Sequence, residues 1–295
     1  MKFAAIDIGS NAVRLLIADV YENEGSTSIK KLSLTRVPIR LGASVFDTRT
    51  ITPGKTKKLL LSMKAFRHLI DVYEVKGFRA CATSAMREAE NAASVMAKVK
   101  KSTGIDIEVI TGQTEADLIY STFESQKLDG SRDYLYIDVG GGSTEITLLH
   151  RGRRVTSRSF DVGTVRILKN KVTENTWEEM RRWVSATLAG QADVTAICTG
   201  GNINRYFKMS GLGHGELMSR TTLQLLHDEM ARHTVRQRIK KFRLRPDRAD
   251  VIVPAGDIYL TILESGGIDR VSVPKIGLSD GIALYLYHRH RAAKR

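Results

Sequence analysis

Cysteine is nearly absent: Cys81 and Cys198 are the only two in 295 residues. Both lie in apolar, strand-like runs, Arg79-Ala80-Cys81-Ala82 and Ala196-Ile197-Cys198-Thr199. Two buried thiols are therefore expected, rather than a disulfide framework or a thiolate metal centre, and a reducing cytoplasm suits them. No run approaches the roughly 18–20 consecutive apolar residues of a membrane helix, so no membrane partner is expected. The N-terminus carries one lysine and a short apolar stretch broken at Asp7, which does not read as a targeting signal. Aromatic residues are only 6%, and none interleave with the basic runs as they do in single-strand nucleic-acid binders. Negative charge is in deficit: 32 acidic residues against 46 basic ones give a net charge of +14.

The basic residues are clustered. One group is Arg151, Arg153, Arg154 and Arg158; a second is Arg232, Arg236, Arg238, Lys240, Lys241, Arg243, Arg245 and Arg248; a third is Arg289, Arg291, Lys294 and Arg295. Such fields attract polyanions. Without interleaved aromatics, a polyanion lacking bases fits at least as well as RNA or DNA. The length suggests two domains, and 42% hydrophobic residues suffice to fill two cores.

A loop recurs. Ile6-Asp7-Ile8-Gly9-Ser10-Asn11 follows the apolar run Phe3 to Ile8, and Ile137-Asp138-Val139-Gly140-Gly141-Gly142-Ser143-Thr144-Glu145 follows Tyr134 to Val139. A second apolar run succeeds each, Val13 to Val20 and Ile146 to Leu149, so one strand-turn-strand unit is used twice, Asp138 lying 131 positions after Asp7. Glycine lets successive N–H groups close on an anion. A carboxylate beside a phosphate nest calls for a cation between them. The repeat predicts two lobes facing one phosphate-metal site. Gly9, Ser10 and Asn11 would hold one phosphate and Gly140, Gly141, Gly142 and Ser143 another. Asp7 and Asp138 would hold a cation, with Glu145 reaching the same ion.

Between these loops the first lobe reads as α/β, with a third strand at Leu32 to Ile39. Thr52-Pro53 starts a helix whose apolar residues Leu59, Met63, Phe66, Leu69, Ile70 and Tyr73 keep helical spacing. A strand at Phe78 to Ala82, a helix near Asn91 to Ser102, a strand at Ile105 to Ile110 and a helix to about Phe123 follow. The polar stretch Lys127 to Asp133 is the best linker, giving domains 1–126 and 127–295. In the second domain helices are expected near Gly163 to Asn170, Thr176 to Gly190, Thr221 to Arg238, Ala249 to Gly266 and Gly281 to Arg291, with strands at Val194 to Cys198 and Val271 to Val273.

Two further segments can carry chemistry. In Ala82-Thr83-Ser84-Ala85-Met86-Arg87, small residues at a strand end admit a ligand, Ser84 among them, and Arg87 can clamp phosphate oxygens. Glu115, in the first turn of a helix after a strand, suits the helix dipole; in a phosphate site it is the best general base for water.

These segments, with Gly112-Gln113-Thr114-Glu115-Ala116, stand in the order of one family, and the chain resembles the exopolyphosphatase and guanosine pentaphosphate phosphohydrolase (Ppx/GppA) family of the actin-like ATPase superfamily. The likeness continues in Asp161-Val162-Gly163-Thr164-Val165-Arg166, Thr199-Gly200-Gly201-Asn202, Arg248 to Gly256 and Gly277-Leu278-Ser279-Asp280-Gly281. It implies two actin-like (ribonuclease H-like) α/β lobes with mixed sheets flanked by helices and an active site in the interlobe cleft. It implies that Glu115 activates water, that Mg²⁺ lies near Asp138 and Glu145, and that Arg87 and both loops contact phosphate. The expected activity is removal of terminal orthophosphate from inorganic polyphosphate. The alternatives are guanosine pentaphosphate, or short polyphosphates and nucleotides. A sugar or acetate kinase lacks an acceptor motif here, and Glu115 argues against a non-catalytic binder or filament. Family members can dimerise, and the apolar later helices permit a homodimer. Two departures stand out. Ser279 replaces the usual basic residue before the late acidic one, so a basic contact is expected to be missing. The chain stops at Arg295, so no HD-type extension is expected; His227-Asp228 reads as a surface pair.

Overall fold

The structure, a computed structural model, describes residues 1–23, 26–122 and 129–293. Two compact units form, Met1–Leu128 with Ile276–Arg295, and Asp129–Lys275.

In the first unit β1 (Lys2–Ile8), β2 (Val13–Asn23) and β3 (Ser26–Val37) make an antiparallel meander. Helices α1 (Gly42–Thr48) and α2 (Pro53–Val72) lead to β4 (Phe78–Ala82), and α3 (Ser84–Glu88) and α4 (Ala92–Thr103) lead to β5 (Ile107–Val109) and α5 (Gly112–Tyr120). The sheet order is β3-β2-β1-β4-β5, with β4 parallel to β1 and β5 parallel to β4. Central β1 buries Phe3, Ala4, Ala5, Ile6 and Ile8, the continuous apolar run of a strand covered on both faces. Helix α2 starts with Pro53 at its first position and buries Leu59, Met63, Phe66 and Ile70 at the expected spacing. Helices α1, of seven residues, and α3, of five, are too short to show a period.

The second unit repeats the plan. Strands β6 (Tyr134–Val139), β7 (Thr144–His150) and β8 (Arg153–Phe160) form the meander. Then come α6 (Thr164–Leu168), α7 (Glu174–Leu188), β9 (Thr195–Thr199), α8 (Ile203–Met209), β10 (Met218–Ser219), α9 (Arg220–Ala231), α10 (Val235–Phe242), α11 (Pro246–Ala249), α12 (Ile252–Ser265) and β11 (Arg270–Ser272). The order is β10-β11-β9-β6-β7-β8, with β9 parallel to β6 and β11 parallel to β9. The duplication reaches fine detail. A register shift falls at Ile17/Ala18 in the first meander and at Leu148/Leu149 in the second, again 131 positions on.

Several expectations change. The basic segment after His150 is edge strand β8, reached through a turn in which Arg151 (φ 48°) and Gly152 (φ 75°) are both left-handed. Its exposed arginines guard that edge against further pairing. The expected helix from Thr221 to Arg238 is two helices, because Thr234 and Gln237 form a capping box that starts α10 afresh. His227 is buried, not a surface residue: its Nε2 lies 2.8 Å from Asp257 Oδ1. Both cysteines are buried free thiols, as expected.

The largest change concerns the closing helix α13 (Leu278–Ala292), which belongs to the first unit, not the second. It packs on β1, β2, β4 and α5 and buries Leu278, Ile282, Ala283, Leu284 and Tyr287 there. The domain 127–295 is thereby corrected. The expected boundary at 126/127 and part of the linker fall on residues 123–128, and Lys294 and Arg295 close the basic tail; all lie outside the described residues.

Candidate functional site

In each unit the repeated loop leaves the carboxyl end of the central strand, where open α/β sheets place their ligands. The two loops close alike. Gly9 N–H donates to Ala12 O at 3.1 Å, and Gly140 N–H donates to Ser143 O at 2.9 Å.

In the first unit the ends of three parallel strands are laced together: Thr83 N–H donates to Ile8 O and Ile110 N–H to Ala82 O. Ser10 and Ser84, both expected on phosphate, are buried and share a 2.8 Å Oγ···Oγ hydrogen bond; Ser10 Oγ also accepts from Ala85 N–H. Asn11 lies beside them, its carbonyl accepting from Arg40 N–H. Arg87, an exposed residue, anchors its guanidinium on Ile110 O at 2.8 Å. Asp7, expected as a cation ligand, is ion-paired through one oxygen: its Oδ2 lies 2.6 Å from Arg14 Nη1. Arg14 is its register partner across the hairpin.

Glu115 is buried in the first turn of α5, after the cap Thr111, whose Oγ1 accepts from Thr114 N–H. It shares a neighbourhood with Asp7. Burial pushes the Cys81 thiol up to about 12; Arg79 opposes this, and the carboxylates of Glu108, Asp7 and Glu115 reinforce it. Helix α13 sets the position of α5, because a Cβ on Gly281 would meet Leu118 O at 2.0 Å. This close approach accounts for a glycine in the late motif. The basic contact expected to be missing there is supplied from elsewhere: Lys31 Nζ lies 2.8 Å from Asp280 Oδ1, and Gly277 N–H donates to Asp280 Oδ2.

In the second unit the glycine loop is gripped from behind. Thr164 N–H donates to Gly140 O, Val165 and Arg166 N–H to Gly141 O, and Arg166 Nε to Gly142 O. With its carbonyls so engaged, the loop donates nothing from the Gly141, Gly142 and Ser143 amides to any group among the described residues. Gly163 permits the grip, since a Cβ there would meet Gly142 C at 2.4 Å. The buried Arg166 is a residue the sequence offered no role for.

Asp138 and Glu145 are register partners on β6 and β7, with carboxylate oxygens within 4.8 Å of each other. Each is oriented by a hydroxyl from its outer neighbour: Thr199 Oγ1 donates to Asp138 Oδ1 at 2.7 Å, and Ser159 Oγ to Glu145 Oε1 at 2.8 Å. Thr199 accepts in turn from the buried Tyr136 hydroxyl, and Tyr259 donates to Thr199 O. Tyr136 sits two positions before Asp138 on the same face; that spacing is the only sequence signal for it. Two oriented carboxylates offering hard oxygens suit Mg²⁺.

Comparisons with known proteins agree with these motifs. The profile of the Ppx/GppA phosphatase family matches residues 17–290. A bifunctional 3-dehydroquinate synthase/phosphatase of Fusobacterium nucleatum is 30% identical over 92% of the chain, which spans 44% of that protein. Exopolyphosphatase 2 of Mycobacterium tuberculosis is 27% identical over 97% of the chain and 98% of its own length. The crystal structure of the Aquifex aeolicus Ppx/GppA family member superposes with a TM-score of 0.77 at 26% identity, covering 98% of each chain. The two helix-flanked mixed sheets are of the actin-like type, and the chain belongs to the Ppx/GppA phosphatase family, a phosphohydrolase of that group.

Proposed function

We propose that this protein is an exopolyphosphatase that hydrolyses terminal orthophosphate from inorganic polyphosphate. The observation that carries the reading is the buried Glu115 at the strand ends of the first unit, in a chain whose full-length relatives bear the name exopolyphosphatase. In this reading Glu115 accepts a proton from water as the water attacks the terminal phosphorus in line, and the leaving chain departs with the bond electrons. The amides of Gly141, Gly142 and Ser143 and the Arg87 guanidinium bind the equatorial oxygens, where negative charge spreads. Ser10, Ser84 and Asn11 shape the first loop for a phosphate. Asp138 and Glu145 would hold Mg²⁺, which when bound neutralises phosphate charge. Asp7 serves as the counter-charge of Arg14.

Phosphate release from long-chain polyphosphate tests this. Glu115→Gln is expected to lower kcat by about 10²–10⁴, the usual contribution of a general base; an unchanged rate removes Glu115 from that role. The same assay on guanosine pentaphosphate addresses the second reading. The turn at Gly200 (φ 119°) that lies against Asp138 is its motivation, and faster turnover of the pentaphosphate would replace polyphosphate as the substrate.

A further inference from the structure

Helix α10 presents cations that its surroundings leave unneutralised. Arg236, Lys240 and Arg243 recur at i, i+4 and i+7, one face of a helix, over roughly 10 Å of axis. None of α10 is buried, and Arg243 caps it in the left-handed conformation. Among the described residues, Arg236, Lys240, Arg243 and Arg245 take part in no ion pair. Their neighbours differ. Lys241 pairs with Glu229 at 2.6 Å, and Arg238 donates to Met230 O and Ala249 O. Arg205 donates to Phe242 O, so the helix is pinned while its cationic stripe faces water.

Local stability does not account for the stripe. Arg236 occupies the first turn, where the helix dipole disfavours a cation, and no acidic residue stands there. Arg236 and Lys240 are like charges one turn apart, which is also unfavourable. The cations continue toward the site: Arg245 precedes α11, and Arg248 Nη2 lies 2.8 Å from where a Cβ on Gly201 would stand. Gly201 follows Thr199, which holds Asp138. Within the second unit the basic residues thus run on in sequence from α10 through Arg245 to Arg248 beside the Gly201 turn, with Asp247 the one acidic residue among them.

Resting on the polyphosphate reading, we propose that this stripe is a secondary binding surface for the distal part of a long polyphosphate chain, held by Arg236, Lys240 and Arg243. Such a chain is linear, charged at every repeat and has no base to stack. The stripe matches it, for its one aromatic, Phe242, is engaged edge-on with His233, ring centroids 5.3 Å apart. Binding of this kind gains from counterion release and weakens with salt.

The test is the triple variant Arg236→Ala/Lys240→Ala/Arg243→Ala, assayed for phosphate release from long-chain polyphosphate and from tripolyphosphate, with circular dichroism to confirm folding. KM for the long chain is expected to rise about tenfold with kcat unchanged and with a shallower salt dependence, while KM for tripolyphosphate stays put. Equal changes on both substrates, or none, overturn the proposal. Binding of end-labelled long polyphosphate to Glu115→Gln, with and without the triple substitution, separates this surface from the catalytic reading. If the native enzyme releases no phosphate from polyphosphate, the catalytic reading fails and the binding arm alone decides. Undiminished binding in the triple variant, or equal competition by single-stranded RNA, then refutes the surface.

Discussion

The same strand row, read across the two sheets, carries opposite charge. In the first unit Cys81, Asp7, Arg14 and Arg36 stand side by side on β4, β1, β2 and β3. In the second, Thr199, Asp138, Glu145 and Ser159 occupy the matching places on β9, β6, β7 and β8. Topology, loop closure and register shift are shared, so the backbone does not make the difference. Two matched positions do: Arg14 and Arg36 on the first sheet stand where Glu145 and Ser159 stand on the second. Arg14 neutralises its aspartate, and with Arg36 alongside it leaves the row net positive. Glu145 adds a second carboxylate, and the flanking hydroxyls of Thr199 and Ser159 donate to the pair. A duplicated scaffold thus yields one row that favours anions and one that favours a cation.

The most drastic way to break this contrast is Glu145→Arg, which copies the Asp7–Arg14 hairpin pair of the first row into the second. Metal-supported phosphate release is expected to fall at least about 100-fold, the scale seen when a charge-stabilising group is lost, with secondary structure intact. Magnesium titration of the rate checks it, and retained activity would end the assignment of Glu145 to the metal. Next come the glycines. Gly163→Ala must displace the Gly141–Gly142 turn, at a cost of about 2 kcal/mol in chemical denaturation. Gly9→Ala meets Ala12 O at 3.2 Å and Asp7 Oδ1 at 3.7 Å, and is expected to cost less. Equal costs would mean that the second loop is not held from behind as described.

Arg14→Ala leaves the buried Asp7 carboxylate without that ion pair and is expected to lower stability by about 1–3 kcal/mol. Asp7→Ala added to it should recover part of the loss. If the double variant is no better than the single one, the pair does not balance charge. The smallest effect is a pH response in the second unit. The hydrogen bond to Asp257 raises His227 above its ordinary value near 6.5, against the opposing effect of burial. A raised histidine contributes stability that is present in full below its ordinary value and is lost as pH rises through the folded value. Thermal unfolding between pH 6 and pH 8 should show that loss, and Asp257→Asn should flatten it; an unflattened curve assigns the response to another group.

Much of the fold was legible in local pattern. The two Asp-x-Gly hairpins, the apolar strands around them and the periodic face of α2 all appear where spacing and turn chemistry put them. Glu115 was legible as a helix first-turn carboxylate, although that pattern alone cannot tell a dipole partner from a base. Pairing was harder to read. Counting residues outward from the Gly9 turn brings Asp7 opposite Arg14, but only once the hairpin's register is known. The capping box at Thr234 lay hidden because apolar periodicity runs on through it. The buried His227 escaped because its partner Asp257 lies on a different helix, 30 positions away.

The amino-acid order by itself determined a duplicated strand-turn-strand unit, its glycine loops and the presence of both carboxylate motifs, because these depend on neighbours a few positions apart. Only the tertiary structure decided how those groups are used. Packing α13 against Leu118 through Gly281 sets the helix that bears Glu115, and the grip of Thr164 to Arg166 on the glycine loop turns its carbonyls away. Strand register matched Asp7 with an arginine and Asp138 with a glutamate. The packing contacts join residues far apart in the chain, and the register pairs, though close in sequence, meet only once the turn has set the hairpin; the strength of both depends on burial and distance, which no local pattern encodes.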